Sequence, residues 1–185
     1  GNQTTRLATL EKIIQYAQDP ANGIWIAPMG EIAEYVKAKR AEGVINIPEV
    51  VEIDKATKSY TLSAQKGKGI GPKIAYMPEW KAFGWFTAKD RVEWEVEVTK
   101  AGTFDVVLDW SVDDKTAGNA YYFKAANSHI NGTVGKTGSW ETFKQQKIGR
   151  ITLKAGRQKL TFGSDIDDIK VGLLDLRTIT LTPVK

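Results

Sequence analysis

The spacing of apolar residues changes part-way along the chain, from a helical period to a period of two. No other feature constrains the fold as much. In residues 1 to about 45, Leu7, Leu10, Ile13, Ile14 and Ala17 recur at helical spacing, with Arg6, Glu11, Lys12 and Gln15 between them. Such a stripe gives a helix one face to bury. Thr4 or Thr5 is placed to cap its start, and Asp19-Pro20 to stop it. Ile24-Trp25-Ile26-Ala27 reads as a strand or a packed extended segment. A second helix fits from about Gly30 to Glu42, with Ile32, Tyr35 and Val36 on its stripe and Gly43 as its stop. Lys39 falls on the same stripe and can lay its aliphatic stem there. Two helices make no core alone, so they are expected to pack on the rest or to belong to an upstream domain.

From about Ile45 the pattern alternates. Val92, Trp94, Val96 and Val98 take turns with Glu93, Glu95 and Glu97, and Phe104, Val106, Leu108 and Trp110 with Asp105, Val107 and Asp109. These are strands with one wet face. Lys100-Ala101-Gly102 between them reads as a hairpin connection, and Lys154-Ala155-Gly156-Arg157 as another tight turn. Further strands are expected at Val50–Ile53, Tyr60–Ala64, Lys73–Tyr76, Ala120–Ala125, Ile130–Val134, Phe143–Leu153, Lys159–Phe162 and Leu176–Leu181. The segment from Lys66 to Pro72 reads as a flexible loop. About ten short strands with regular turns predict a mainly β protein, an antiparallel β-sandwich of the jelly-roll kind with a short N-terminal two-helix segment. The division expected is 1–45 for the helical segment and 46–185 for the sandwich.

Composition removes several functions. The absence of Cys excludes disulfides, thiolate zinc sites and cysteine nucleophiles, and a single histidine, His129, excludes the common multi-histidine metal sites. The net charge of +4 comes from scattered basic residues, with no concentrated patch, so nucleic acid is not an expected partner. No apolar run is long enough for a membrane-spanning helix. Neither a Gly-x-Ser-x-Gly elbow nor a P-loop nor a dinucleotide fingerprint occurs. Asp165, Asp167 and Asp168 form an acidic cluster without EF-hand spacing, which reads as a solvated turn. The aromatic content is high, with six Trp. Trp94 and Trp110 are in phase with Val96 and Leu108 and read as core.

An ordered series of short segments in the β region resembles the carbohydrate-binding-module β-sandwich superfamily, in its family 6 and family 35 form. It covers about residues 58–183. Leu62-Ser63-Ala64-Gln65 is similar to the opening strand, and Phe83-Gly84-Trp85 to an Ile-Gly-aromatic step. Val92-Glu93-Trp94 and Ala101-Gly102-Thr103-Phe104 are similar to a characteristic hairpin, and Thr137-Gly138-Ser139-Trp140 with Thr142-Phe143 to a Thr-Gly-Ser-Trp segment. Ile148-Gly149, Leu153-Lys154-Ala155-Gly156 and Leu176–Leu181 complete the series. Separately, residues 23–33 resemble the last strand and helix of polysaccharide deacetylase barrels, although the metal and catalytic motifs of those enzymes are not in this sequence.

The first resemblance implies a loop-end cleft in which two aromatic rings face a sugar. The matching positions are Trp85 and Trp140; for Trp85 the alternative is core packing with Phe83 or Phe86. Trp80, in Pro78-Glu79-Trp80-Lys81, is either a platform at the rim or a lid over an apolar patch. The resemblance places Asp175 where an Asn or Asp bonds sugar hydroxyls; its alternative is a surface carboxylate. Asn119, Tyr121 and Asn127 are further loop candidates. Structural calcium is common in family 6, but the expected carboxylates are replaced by Gln65 and Arg177, which weakens a hard-cation site, so no cofactor and no metal site are expected.

The resulting expectation is a non-catalytic module, not an enzyme, with a carbohydrate ligand. It would be associated with a glycoside hydrolase, as an attached catalytic domain or a partner enzyme, and would be bacterial and secreted or periplasmic. The alternative is a scaffolding or interaction domain without a sugar site. A weaker one is a hydrolase with an unrecognised carboxylate pair.

Overall fold

The computed structural model describes residues 6–167, 169 and 171–184. The chain divides into two compact units, residues 1–39 and 40–185. The first contains helix α1 (Leu7–Gln18), a 3-10 turn at Pro20–Asn22 and most of helix α2 (Met29–Glu42). Asp19 caps the 3-10 turn by accepting from the Ala21 amide, and Gly23 closes it in the left-handed region. Thr4 and Thr5 lie outside the described residues; α1 begins after Arg6, which makes no side-chain cap. Ile24–Ala27 forms no strand, and Trp25 meets Tyr35 edge to face, with ring centroids 5.1 Å apart. Among the described residues no helix is long and apolar enough to cross a membrane.

The second unit is an antiparallel β-sandwich of the jelly-roll kind. Its strands are β1 (Tyr60–Ser63), β2 (Lys68–Ile70), β3 (Ala75–Met77), β4 (Ala82–Gly84), β5 (Arg91–Val98), β6 (Gly102–Ser111), β7 (Ala120–Ala125), β8 (Ser128–Thr133), β9 (Lys144–Leu153), β10 (Gly156–Gly163) and β11 (Asp175–Pro183). One sheet runs β3-β4-β11-β6-β9, with β1 also paired to β11; the other runs β2-β5-β10-β7-β8. The alternating residues of β5 and β6 do what their period requires. Val92, Trp94, Val96 and Val98 are buried, as are Phe104, Val106, Leu108 and Trp110. They meet Leu62, Leu160, Phe162, Ile179 and Leu181 in one continuous core. Trp94 is buried whole, and its indole N–H donates to the Ser63 carbonyl at 2.8 Å, which removes the cost of an unpaired donor.

Several local expectations are corrected. Lys100-Ala101-Gly102 is not a hairpin: β5 and β6 lie in different sheets, so the turn carries the chain across the sandwich. The turn at Lys154–Arg157 does the same between β9 and β10. Both turns have hairpin composition, but β5 finds its partner in β10 over a full eight-residue register. The Lys66–Pro72 segment is not a loop throughout, because β2 pairs with β5 there. Val50–Ile53 forms no strand beyond a single parallel bridge, Val51 to Val96. The short strand β4 carries no alternation long enough to announce it, yet it decides the position of the cleft.

Candidate functional site

The cleft lies at one end of the sandwich, where β4, β11 and β6 finish together. Leu176 of β11 is opposite Phe83 of β4, and Asp175 is opposite Ser111 of β6. Antiparallel pairing therefore brings the Asp175 side chain over Gly84. A Cβ on Gly84 would come within 2.5 Å of the Asp175 Oδ1 and 2.8 Å of the Met77 Cε. Only glycine leaves this space, and the next residue is Trp85.

Trp85 is 65% exposed and has φ = +63°. A bulky side chain in the left-handed region is strained, and strain of this kind is retained where the surroundings impose it. The ring is held out into solvent beside the cleft instead of folding into the core with Phe83 and Phe86, both of which are buried. Val171, on the β10–β11 connection, is 80% exposed with φ = +106°, a second strained apolar residue at the same cleft.

Trp140 comes from the loop between β8 and β9. Gly138 takes φ = +106° in that loop, and its amide donates to Asp114 at 2.8 Å. Thr137 is buried and anchors the loop to the end of β6: its hydroxyl accepts from the Val112 amide and donates to the Val112 carbonyl, each at 2.8 Å. The Ser111 hydroxyl donates to the Trp140 carbonyl at 2.6 Å. These bonds fix the backbone that carries Trp140, so its ring is presented with little freedom left to lose on binding.

Trp85, Trp140, Met77, Val171, Leu174 and Asp175 line a cavity of about 260 Å³. The wall is almost wholly apolar. Asp175 is its polar exception, and burial pushes the Asp175 carboxyl from the ordinary 3.8 up to about 7. Asp175 is also the one acid among the described residues of the lining. The β10–β11 connection is pinned beside the cleft by two bonds. The Leu173 amide donates to the Phe86 carbonyl at 3.2 Å, and the Asn119 amide nitrogen donates to the Gly172 carbonyl at 3.4 Å.

The structure thus brings together Trp85, Trp140 and Asp175, and places Asn119 behind them as a brace. The other candidates lie elsewhere. Trp80 is half-buried and stacks on Phe143, with centroids 6.3 Å apart. Arg177 sits 3.4 Å over the other partner of that stack, Phe143, and its Nε donates to the Trp80 carbonyl at 3.2 Å. Tyr121 is buried and stacks on Phe162, with centroids 5.4 Å apart, so its ring faces the core. Asn127 is at the β7–β8 turn, at the far end of β7 from Asn119. Gln65 donates to the Arg40 carbonyl, and no group of acids or His fit for a metal occurs among the described residues. Asp165 and Asp167 are exposed; Asp168 lies outside the described residues. Met77, Leu174 and Val171 line the cleft without having been singled out in the sequence, since isolated apolar residues carry no signal of a ligand wall.

No protein-family model matches the sequence, and no curated protein matches it. Solved structures do match. An exo-β-1,3-galactanase from Phanerochaete chrysosporium is similar at 18% identity with a TM-score of 0.55, over 66% of this chain and 29% of its own. A family 35 carbohydrate binding module from Clostridium thermocellum is similar at 14% identity with a TM-score of 0.56, over 66% of this chain and 97% of its own. The mosquito-larvicidal Cry4Aa toxin from Bacillus thuringiensis is similar at 11% identity with a TM-score of 0.55, over 75% of this chain and 25% of its own. The chain spans under a third of the galactanase it matches. At these identities the likeness establishes the fold, which galactanase, module and toxin share.

Proposed function

We propose that the sandwich is a carbohydrate-binding module of the family 6/35 type, with its sugar site in the cleft between Trp85 and Trp140. The observation that carries this reading is Trp85, an aromatic ring held in solvent by a strained backbone at the edge of an apolar cavity that Trp140 also lines. Pyranose C–H faces stack on indole rings, which hold their shape at low entropic cost. If a ring covers about 100 Å² of indole at about 25 cal/mol/Å², each stack contributes about 2.5 kcal/mol. Asp175 supplies the polar contact that orients the ligand.

On this reading the chain does no chemistry of its own. It keeps an attached or partner carbohydrate-active enzyme near its polymer by raising effective concentration. The galactanase likeness supports that association, and the likeness to a family 35 carbohydrate binding module, matched over nearly its whole length, supports the reading as a module. A secreted or periplasmic location, residues 1–45 as a separate helical segment, and its kinship to deacetylase tails belong to the same proposal.

The apolar balance of the cleft supports one other reading, a docking site for an apolar side chain of a partner protein. A glycan array with wild type, Trp85→Ala and Trp140→Ala separates the two. Glycan retention in the wild type, lost by more than about tenfold in either variant, supports the sugar site. A folded wild type that retains no glycan, or variants that bind unchanged, overturns it.

A further inference from the structure

Among the described residues, the Asp175 carboxylate is a buried acid without a hydrogen-bond or ion-pair partner. It is only 9% exposed, it opens on the cleft, and no hydrogen-bond donor or cation among the described residues reaches it. Buried carboxylates are ordinarily paired or hydrogen-bonded, because taking the charge out of water is otherwise unfavourable. Among the described residues the other buried carboxylates follow this rule. Asp90 accepts from the Thr87 hydroxyl and amide and from the Lys73 amide, and Asp109 accepts from the Gln145 side-chain amide at 3.3 Å. Asp175 therefore has an open place for a donor, and the place is inside the cleft.

The remaining lining selects among donors. A neutral pyranose brings several hydroxyls, each of which loses water on entry and needs a partner. Met77, Leu174 and Val171 offer none through their side chains. A uronic acid would set a second negative charge against Asp175. An ammonium group suits both kinds of surface present: it bonds a carboxylate with charge assistance, and it is attracted to the faces of indole rings. Resting on the sugar-cleft reading above, we propose that the ligand is a glycan with a free amine, an unacetylated hexosamine whose ammonium sits on Asp175 between Trp85 and Trp140. The chain carries a net charge of +4, so a general attraction to polycations does not account for such binding.

The test is titration calorimetry on the full chain at about pH 7 and about 0.15 M salt. The probes are oligomers of glucosamine and of galactosamine, their N-acetylated counterparts and a glucose oligomer. The expected result is that an amine-bearing oligomer binds at least about tenfold tighter than its acetylated form. Asp175→Asn, nearly isosteric, abolishes that preference, while Trp140→Ala weakens every oligomer. Equal or tighter binding of the acetylated or glucose oligomers, or a preference that survives Asp175→Asn, overturns the amine assignment and leaves the cleft as a neutral-sugar site. If no oligomer binds, or if binding is indifferent to both Trp140→Ala and Trp85→Ala, the sugar reading itself falls and the amine goes with it.

Discussion

Asp175→Asn should make the protein more stable in neutral solution while leaving it unchanged in acid. Burial moves the Asp175 carboxyl from 3.8 to about 7 in the folded chain. Well below 3.8 it is protonated in both the folded and unfolded states and makes no difference between them. As pH rises from there, the unfolded chain releases the proton and the folded chain keeps it. The folded state is therefore progressively disfavoured until pH passes the folded value near 7. Each pKa unit is worth about 1.36 kcal/mol, so the whole shift corresponds to about 4 kcal/mol. Asn does not titrate, so the variant escapes this cost. Urea denaturation of both proteins at about pH 4, 6 and 8 measures it. The expected gap grows from under about 1 kcal/mol at pH 4 to about 4 kcal/mol at pH 8 in favour of Asn. Other carboxylates titrate equally in both proteins and cancel. A gap independent of pH, or a variant less stable than wild type at pH 8, would refute the placement of Asp175 in a donor-free apolar wall.

Three further outcomes are expected. Trp85→Asn relieves a left-handed backbone that Asn tolerates, so thermal unfolding should come no lower than in wild type even as glycan binding is lost; a large fall in melting temperature would mean that Trp85 has a packing role. Gly84→Ala sets a methyl against the Asp175 Oδ1 and the Met77 Cε, at 2.5 and 2.8 Å, and should cost about 1–3 kcal/mol by overpacking and weaken binding, checked by denaturation and by the glycan array. Thr137→Val leaves the Val112 amide and carbonyl without the hydroxyl that serves both; a loss of about 1–3 kcal/mol in urea, with weaker glycan binding, would show that this bond holds the Trp140 loop.

Much of the sandwich was legible in the sequence, because a half-buried strand must alternate. The expected Ala120–Ala125 strand is β7, and the Val92 and Phe104 runs are β5 and β6 with the anticipated faces inward. Pairing was not legible. Lys100-Ala101-Gly102 has the composition of a hairpin turn, but whether such a turn folds a strand back or carries it across the core depends on which partner is available, and β10 lies more than fifty residues away. Short strands failed for a related reason. β2 and β4 have three residues each, too few for a period, and exist because β5 and β11 offer them an edge.

The candidate site divides along the same line. Trp85 and Trp140 were marked by glycine-containing turns and by likeness to known segments. Tyr121, a loop candidate without such marks, went into the core against Phe162, because a residue early in an inner strand takes the face its register dictates. Trp80, left open between a rim platform and a lid over an apolar patch, stacks on Phe143. By itself the sequence determined the class of fold, the inward faces of the long strands and the absence of thiol or multi-histidine chemistry, since these depend on residue type and local period. Only the tertiary structure decided that Asp175, without a partner among the described residues, stands over Gly84 in a cavity that two tryptophans also line. That juxtaposition comes from strands β4, β6 and β11 ending together, and contacts between residues some 90 positions apart leave no local trace in the chain.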